Sequence, residues 1–228
     1  MSSYLNLARI SGLIYLAVAI TGYFAYYATE SPLVAGDIKA SAENILHSIS
    51  LYRTGIFSHL LMSVFWIFLA IAFYRMFVGT NKTQALLILC LVLVGSAVSF
   101  VNALLQFGAQ WTLSASGYTV IFNESQRQAQ LILLLDLSRH GVYVAYIFFG
   151  LWLLPLSYLI YKSATMPHII AILVAIAGLG YIADFLIYIL MIGQEMRIVD
   201  YTFWGELFLL LWLLIKGTRE LPSFEGVE

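Results

Sequence analysis

Apolar stretches of about 18 or more residues recur along the chain, separated by short polar breaks, and such a stretch is long enough to cross the roughly 30 Å hydrocarbon core of a bilayer as a helix. Apolar length and flanking breakers mark six segments: about Ile10 to Ala28, Thr54 to Val78, Gln84 to Gly108, Ser138 to Tyr161, His168 to Gly193 and Thr202 to Ile215, the last being the shortest. The polar turn Gly79 to Thr83 pairs the second and third segments as a hairpin, and Lys162 to Pro167 joins the fourth and fifth. Pro167 suits the first turn of a new helix, whereas Pro155 inside the fourth segment predicts a kink, because its ring removes one backbone donor. Between the first two segments, Ile38, Ala42, Ile45, Leu46, Ile49 and Tyr52 fall at helical spacing over Asp37 to Arg53. This predicts a surface helix capped by Asp37. Asn123 to Leu137 begins polar and turns apolar, predicting a second surface helix before the fourth span, with Ser114 to Tyr118 as the preceding loop.

The expected fold is therefore all-α: a six-helix integral membrane bundle forming a single transmembrane domain over 1–228, with one or two amphipathic helices on its outer side. Composition agrees. Of the 228 residues 62% are hydrophobic and 10% charged, far from the roughly 25% charged residues of soluble domains. A barrel would need alternating segments of about 10 residues, and none is present. A net charge of −1 without a basic run excludes a nucleic-acid partner and leaves the lipid bilayer as the main one. The lone Cys90 cannot form an intrachain disulfide, and the first apolar stretch reads as a retained helix rather than a removed signal.

With six spans both termini lie on one side. That side carries Arg9, Arg75, Lys82, Lys162, Lys216 and Arg219, mostly in short connections, against Lys39, Arg53, Arg127, Arg139 and Arg197 on the other. The density in short loops predicts cytoplasmic termini. In this topology His59, Asn102, Gln106, Asp136, His140, Asp184 and Glu206 all fall toward the outer side, with Asp184 about 14 Å inside its segment end. Polar groups in lipid usually face a bundle interior or cavity, so these seven form a candidate ligand pocket open to the outer face. A structural reading stands beside it, in which the carboxylates pair with Arg53 or Arg139, Arg53 being placed to reach Glu206 or Asp136. Asn102 and Gln106 equally suit interhelical hydrogen bonds. Tyr23, Tyr26, Tyr27, Trp111, Tyr118, Tyr201 and Trp204 are expected to form an outer aromatic belt, and Trp66, Trp152 and Trp212 to face lipid or pack. Gly12, Gly22, Gly150, Gly178 and Gly180 suggest close helix seams.

Asp136 and His140, four residues apart, share a helix face, and His59 with Asp184 could complete an open metal site. A haem held by His59 and His140 is a further alternative. No GxSxG, phosphate loop or dinucleotide fingerprint is present. Several ordered blocks, among them Ala8 to Leu16, Leu51-Tyr52-Arg53, Phe148 to Pro155, Ala177 to Tyr181 and Trp212 to Gly217, resemble a bacterial and archaeal family of multi-pass membrane proteins known as domain of unknown function 4386. The resemblance implies a prokaryotic inner-membrane protein and transfers no catalytic residue or cofactor. The expected function is binding or transport of a small-molecule or lipid ligand in the outer pocket. A membrane-embedded metal-dependent enzyme and a partner subunit without a small-molecule site are the alternatives. Oligomeric state is not legible.

Overall fold

The computed structural model describes residues 2–34, 36–191 and 196–217, without the side chains of residues 2–6 and of Tyr118. The end of the fifth segment at Gly193, the charge at Arg219 and the belt position of the Tyr118 ring lie outside what is described. The fold is all-helical, with 87% helix and no strand among the described residues. In chain order the elements are α1 (Ser2–Glu30), α2 (Ile38–His47), α3 (Ile49–Phe77), α4 (Lys82–Ser114), α5 (Ser116–Ile121), α6 (Glu124–Leu151), α7 (Leu153–Ser163), α8 (His168–Leu190), α9 (Val199–Thr202) and α10 (Trp204–Ile215). Five helical stretches are long and apolar enough to cross a membrane: Leu7–Glu30, Ile49–Phe77, Lys82–Ser114, Glu124–Ser163 and His168–Leu190. The expected sixth span does not join them, because α10 has only 12 residues.

Several predicted boundaries move, each for a local reason. The surface helix ends at His47 instead of Arg53, and Ile49 to Arg53 already belong to α3. Asp37 does cap α2, its carboxylate accepting from the Ala40 amide at 2.9 Å. The second surface helix is not separate: α6 runs unbroken from Glu124 into the fourth span. Its start is fixed by a reciprocal cap, in which the Gln126 amide donates to Asn123 Oδ1 at 2.9 Å and the Asn123 amide to Gln126 Oε1 at 3.0 Å. The expected loop at Ser114 to Tyr118 is replaced by the end of α4 and the short α5. Pro155 interrupts its helix at Trp152, three residues upstream, since a proline there cannot donate to the Leu151 carbonyl. Pro167 stands just before α8, at its N-cap with extended ψ, rather than within the first turn. Replacing Asp37 with alanine should cost about 1 kcal/mol locally. Amide exchange at Ala40 should then accelerate about fivefold, and unchanged exchange would remove the capping role.

The chain forms two compact units, each assembled from separated stretches: Met1–Leu16, Trp66–Gly95 and Tyr146–Glu228 make one, Ala17–Phe65 and Ser96–Ala145 the other. The first is built on aromatics. Trp152 stacks on Phe73 at 6.1 Å and meets Tyr15 and Trp66 edge-on at 6.3 and 6.0 Å, so Trp66 and Trp152 are packing residues, not lipid-facing ones. Around them Leu69, Phe77, Ile88 and Leu156 are fully buried. In the second unit the apolar face of α2, through Ala42 and Ile45, packs with Tyr52, Ile56, Ala109 and Leu131. Tyr23, Tyr26, Tyr27, Trp111, Tyr201 and Trp204 are exposed on the protein surface, as a lipid-interface belt requires.

Candidate functional site

The seven expected pocket residues are divided between the two units. His59, Asn102, Gln106, Asp136 and His140 belong to the second unit, Asp184 and Glu206 to the first.

In the second unit, Asn102, Gln106 and Gln110 follow at four-residue spacing and put one polar stripe on α4. All three are buried. The Gln110 amide is engaged at both ends: its Oε1 accepts from Arg53 Nε at 3.1 Å and its Nε2 donates to Ser114 Oγ. The expected pairing of Arg53 with Glu206 or Asp136 is therefore not made; a neutral amide takes the guanidinium instead. Asn102 lies so close to Gly141 of α6 that a Cβ there would collide with its Oδ1. His59 is half-buried beside Gln106, yet Gln106 Oε1 has no partner at ordinary hydrogen-bond distance. Asp136, Arg139 and His140 are exposed on α6. The His140 Nδ1 lies 2.6 Å from the Asp136 backbone carbonyl, within its own helix turn. Arg139 closes no ion pair with a described carboxylate, against the expected pairing role.

Of these residues Gln106, Asp136 and Arg139 border a cavity of about 440 Å³ in the second unit, whereas His59, Asn102 and His140 are not among its lining residues. Its volume falls within the roughly 300–1,000 Å³ of small-molecule sites. Its polar wall includes Glu30, Tyr52, Gln106, Asp136, Ser138 and Arg139, and its apolar wall includes Leu33, Leu131, Ile132, Leu135 and Val142. Tyr52 is 0% exposed and Gln106 9% exposed, and the Tyr52 hydroxyl, like Gln106 Oε1, lacks a hydrogen-bond partner. A buried unsatisfied polar atom costs about 1–3 kcal/mol, and both side chains that carry one here also line this cavity. Tyr52 occupies an apolar position of the α2–α3 periodicity, and no spacing rule singles it out. Gln110 could have been found from its spacing with Gln106.

In the first unit Asp184, 1% exposed, spends its carboxylate on backbone: Oδ1 accepts from the Ile198 amide at 2.8 Å and Oδ2 from the Val199 amide at 2.9 Å. It fixes the entry to α9. The Tyr15 hydroxyl donates to Glu206 Oε2 at 2.5 Å, and the Tyr181 hydroxyl faces the same carboxylate. Both carboxylates are thus engaged by protein donors. Among the described residues no three of His, Cys, Asp and Glu converge as a metal site would need, so Asp136, His140, His59 and Asp184 do not assemble the expected ligand set.

The sequence profile of a family described as "Domain of unknown function (DUF4386)" matches residues 10–217. The chain belongs to this family. A DUF4386 member with five candidate spans is a multi-pass membrane protein of unknown function. A protein of Archaeoglobus fulgidus, described as "Uncharacterized protein", is 43% identical over 76 residues. That match covers 33% of this chain and 46% of the relative, so the chain spans less than half of the relative's length. No solved structure matches this DUF4386 chain.

Proposed function

We propose that this protein binds a small or amphipathic ligand in the cavity of its second unit, from the membrane of a prokaryotic cell. One observation carries the reading: two buried hydrogen-bonding atoms without protein partners, on Tyr52 and Gln106, belong to side chains that border one cavity of about 440 Å³. The mixed wall, with carboxylates and hydroxyls opposite leucines and isoleucine, suits a molecule with a polar head and a hydrocarbon body. Asp184 and Glu206, already engaged by donors of the first unit, take no part in it.

The topology proposed with this site keeps both termini cytoplasmic. Phe203, between α9 and α10, has helical angles, and its amide donates to the Val199 carbonyl at 2.8 Å. Val199 to Ile215 can thus act as one helix of roughly 25 Å and complete a sixth crossing. The five apolar helices long enough to cross a bilayer support the membrane location in this reading.

Photo-crosslinking tests the reading in living cells. With Leu135→p-benzoylphenylalanine, illumination should yield a covalent adduct of discrete small mass, seen on the intact protein. The same residue placed at Ile172, exposed on α8, should capture only bulk phospholipid. Identical adducts from both positions would contradict a specific ligand in the cavity.

A further inference from the structure

We propose that the corner formed by α4, α5 and α6 in the second unit is a site for one membrane phospholipid, with its phosphate on Arg127 and an acyl chain in the groove beside it. The site is separate from the cavity described above. Thr112 of α4, Gly117 and Ile121 of α5, and Gln130, Leu133 and Leu134 of α6 border a groove of about 600 Å³. Ile121 and Leu133 are 74% and 59% exposed, and Val120 beside them in the chain is 86% exposed, so the groove and its rim present apolar side chains that none of the described elements covers. Trp111, one residue before Thr112, is an exposed member of the aromatic belt that sits at headgroup level. The groove thus lies where acyl chains meet headgroups.

Arg127 supplies the charge. It stands three residues before Gln130 and seven before Leu134, hence on the same face of α6 and one turn nearer the polar start of that helix. It is half-buried, and among the described residues no carboxylate or carbonyl takes its guanidinium, whose Nε is hidden without an acceptor. Glu124, one turn earlier, accepts instead from Gln128 Nε2 at 3.2 Å. Arg53 and Arg197 differ, the first bonding to Gln110 and the second to Asp200. A planar guanidinium matches a phosphate, and an arginine near the end of a spanning helix reaches headgroup level while its stem covers apolar surface. Along this face charge comes first and leucines follow, the order of a phospholipid entering the bilayer. A soluble anion would leave Ile121 and Leu133 uncovered, and a neutral lipid would leave Arg127 without an acceptor.

The test is native mass spectrometry of the full-length, delipidated protein in neutral detergent, titrated with dioleoylphosphatidylglycerol or with dioleoylglycerol, which has the same chains and no phosphate. The expected result is one saturable phosphatidylglycerol per chain and several-fold weaker binding of dioleoylglycerol. Arg127→Gln should weaken phosphatidylglycerol about fivefold, equivalent to about 1 kcal/mol, as expected for one basic residue against an anionic headgroup. It should leave dioleoylglycerol binding as it was, whereas a collapsed groove would lose both. Gly117→Leu fills the groove from a position with nothing within 4 Å of its would-be Cβ, so the fold tolerates it, and it should weaken both lipids. Lys82→Gln, which removes an exposed charge from the first unit, and Ser138→Leu, which alters the other cavity, should leave binding unchanged. Equal binding of the two lipids, wild-type affinity for phosphatidylglycerol in Arg127→Gln, or an equal loss in Lys82→Gln would overturn the site. Loss in Ser138→Leu but not in Gly117→Leu would move the lipid to the other cavity and overturn it as well.

Discussion

Asp184→Ala should lower the thermal stability of the detergent-solubilised protein by about 3 kcal/mol, a fall of roughly 6–12 °C for a chain of this size. The carboxylate is the acceptor for two amides, Ile198 at 2.8 Å and Val199 at 2.9 Å, and alanine removes both partners at once. Asp184→Asn keeps one carbonyl oxygen and should lose about half as much. Amide exchange at Ile198 and Val199 should accelerate in both variants, more in the alanine one, while ligand capture at Leu135 persists. A variant as stable as the wild type, or one that folds normally but loses capture, would contradict the assignment of Asp184 to α9 rather than to the ligand cavity.

Gly205→Ala should cost about 3 kcal/mol, at the upper end for inserting one carbon into a packed interior. A Cβ on Gly205 would collide with the Leu173 backbone carbonyl, which cannot rotate away as a side chain could. In a membrane, where apolar burial gives no net drive for helices to associate, such backbone approach is itself a main source of cohesion. Gly150 and Gly178 show the same relation, a Cβ on each falling 2.5 and 2.8 Å from the other's carbonyl oxygen. Gly79, with nothing within 4 Å of its would-be Cβ, is the control, and Gly79→Ala should leave the midpoint of unfolding unchanged. Equal effects of the two substitutions would contradict close packing at Gly205 as the source of the cost.

The glycine seams were legible because small residues in apolar segments have few other uses: Gly12, Gly22, Gly150, Gly178 and Gly180 all sit where a Cβ would press on a neighbouring helix. The Asp37 cap was legible for a similar reason, an acceptor placed just before an amphipathic run. Helix ends were less so. Apolar length cannot tell where a spanning helix stops once polar residues continue the same helical turn, as at Glu124 to Gln130 of α6 and Gln110 to Ser114 of α4. The polar residues were found as a set, but depth along a segment says nothing about azimuth. Asp136 and His140 are exposed on α6, Asp184 is satisfied by backbone amides, and Glu206 is met by tyrosines no spacing rule would pair with it. Tyr52, which borders the cavity with an unpartnered hydroxyl, reads in the sequence as one more apolar position.

Native mass spectrometry of the wild-type protein, purified in mild detergent without added ligand, tests the central claim most directly when set beside Ser138→Leu, which places four carbons where a buried hydroxyl borders the cavity. The wild type should carry one small molecule or lipid per chain that survives delipidation, and the leucine variant, folded but with the space filled, should fly at its bare mass. A wild type without any retained molecule, or a variant that holds the same one equally well, would contradict a ligand site in the second unit.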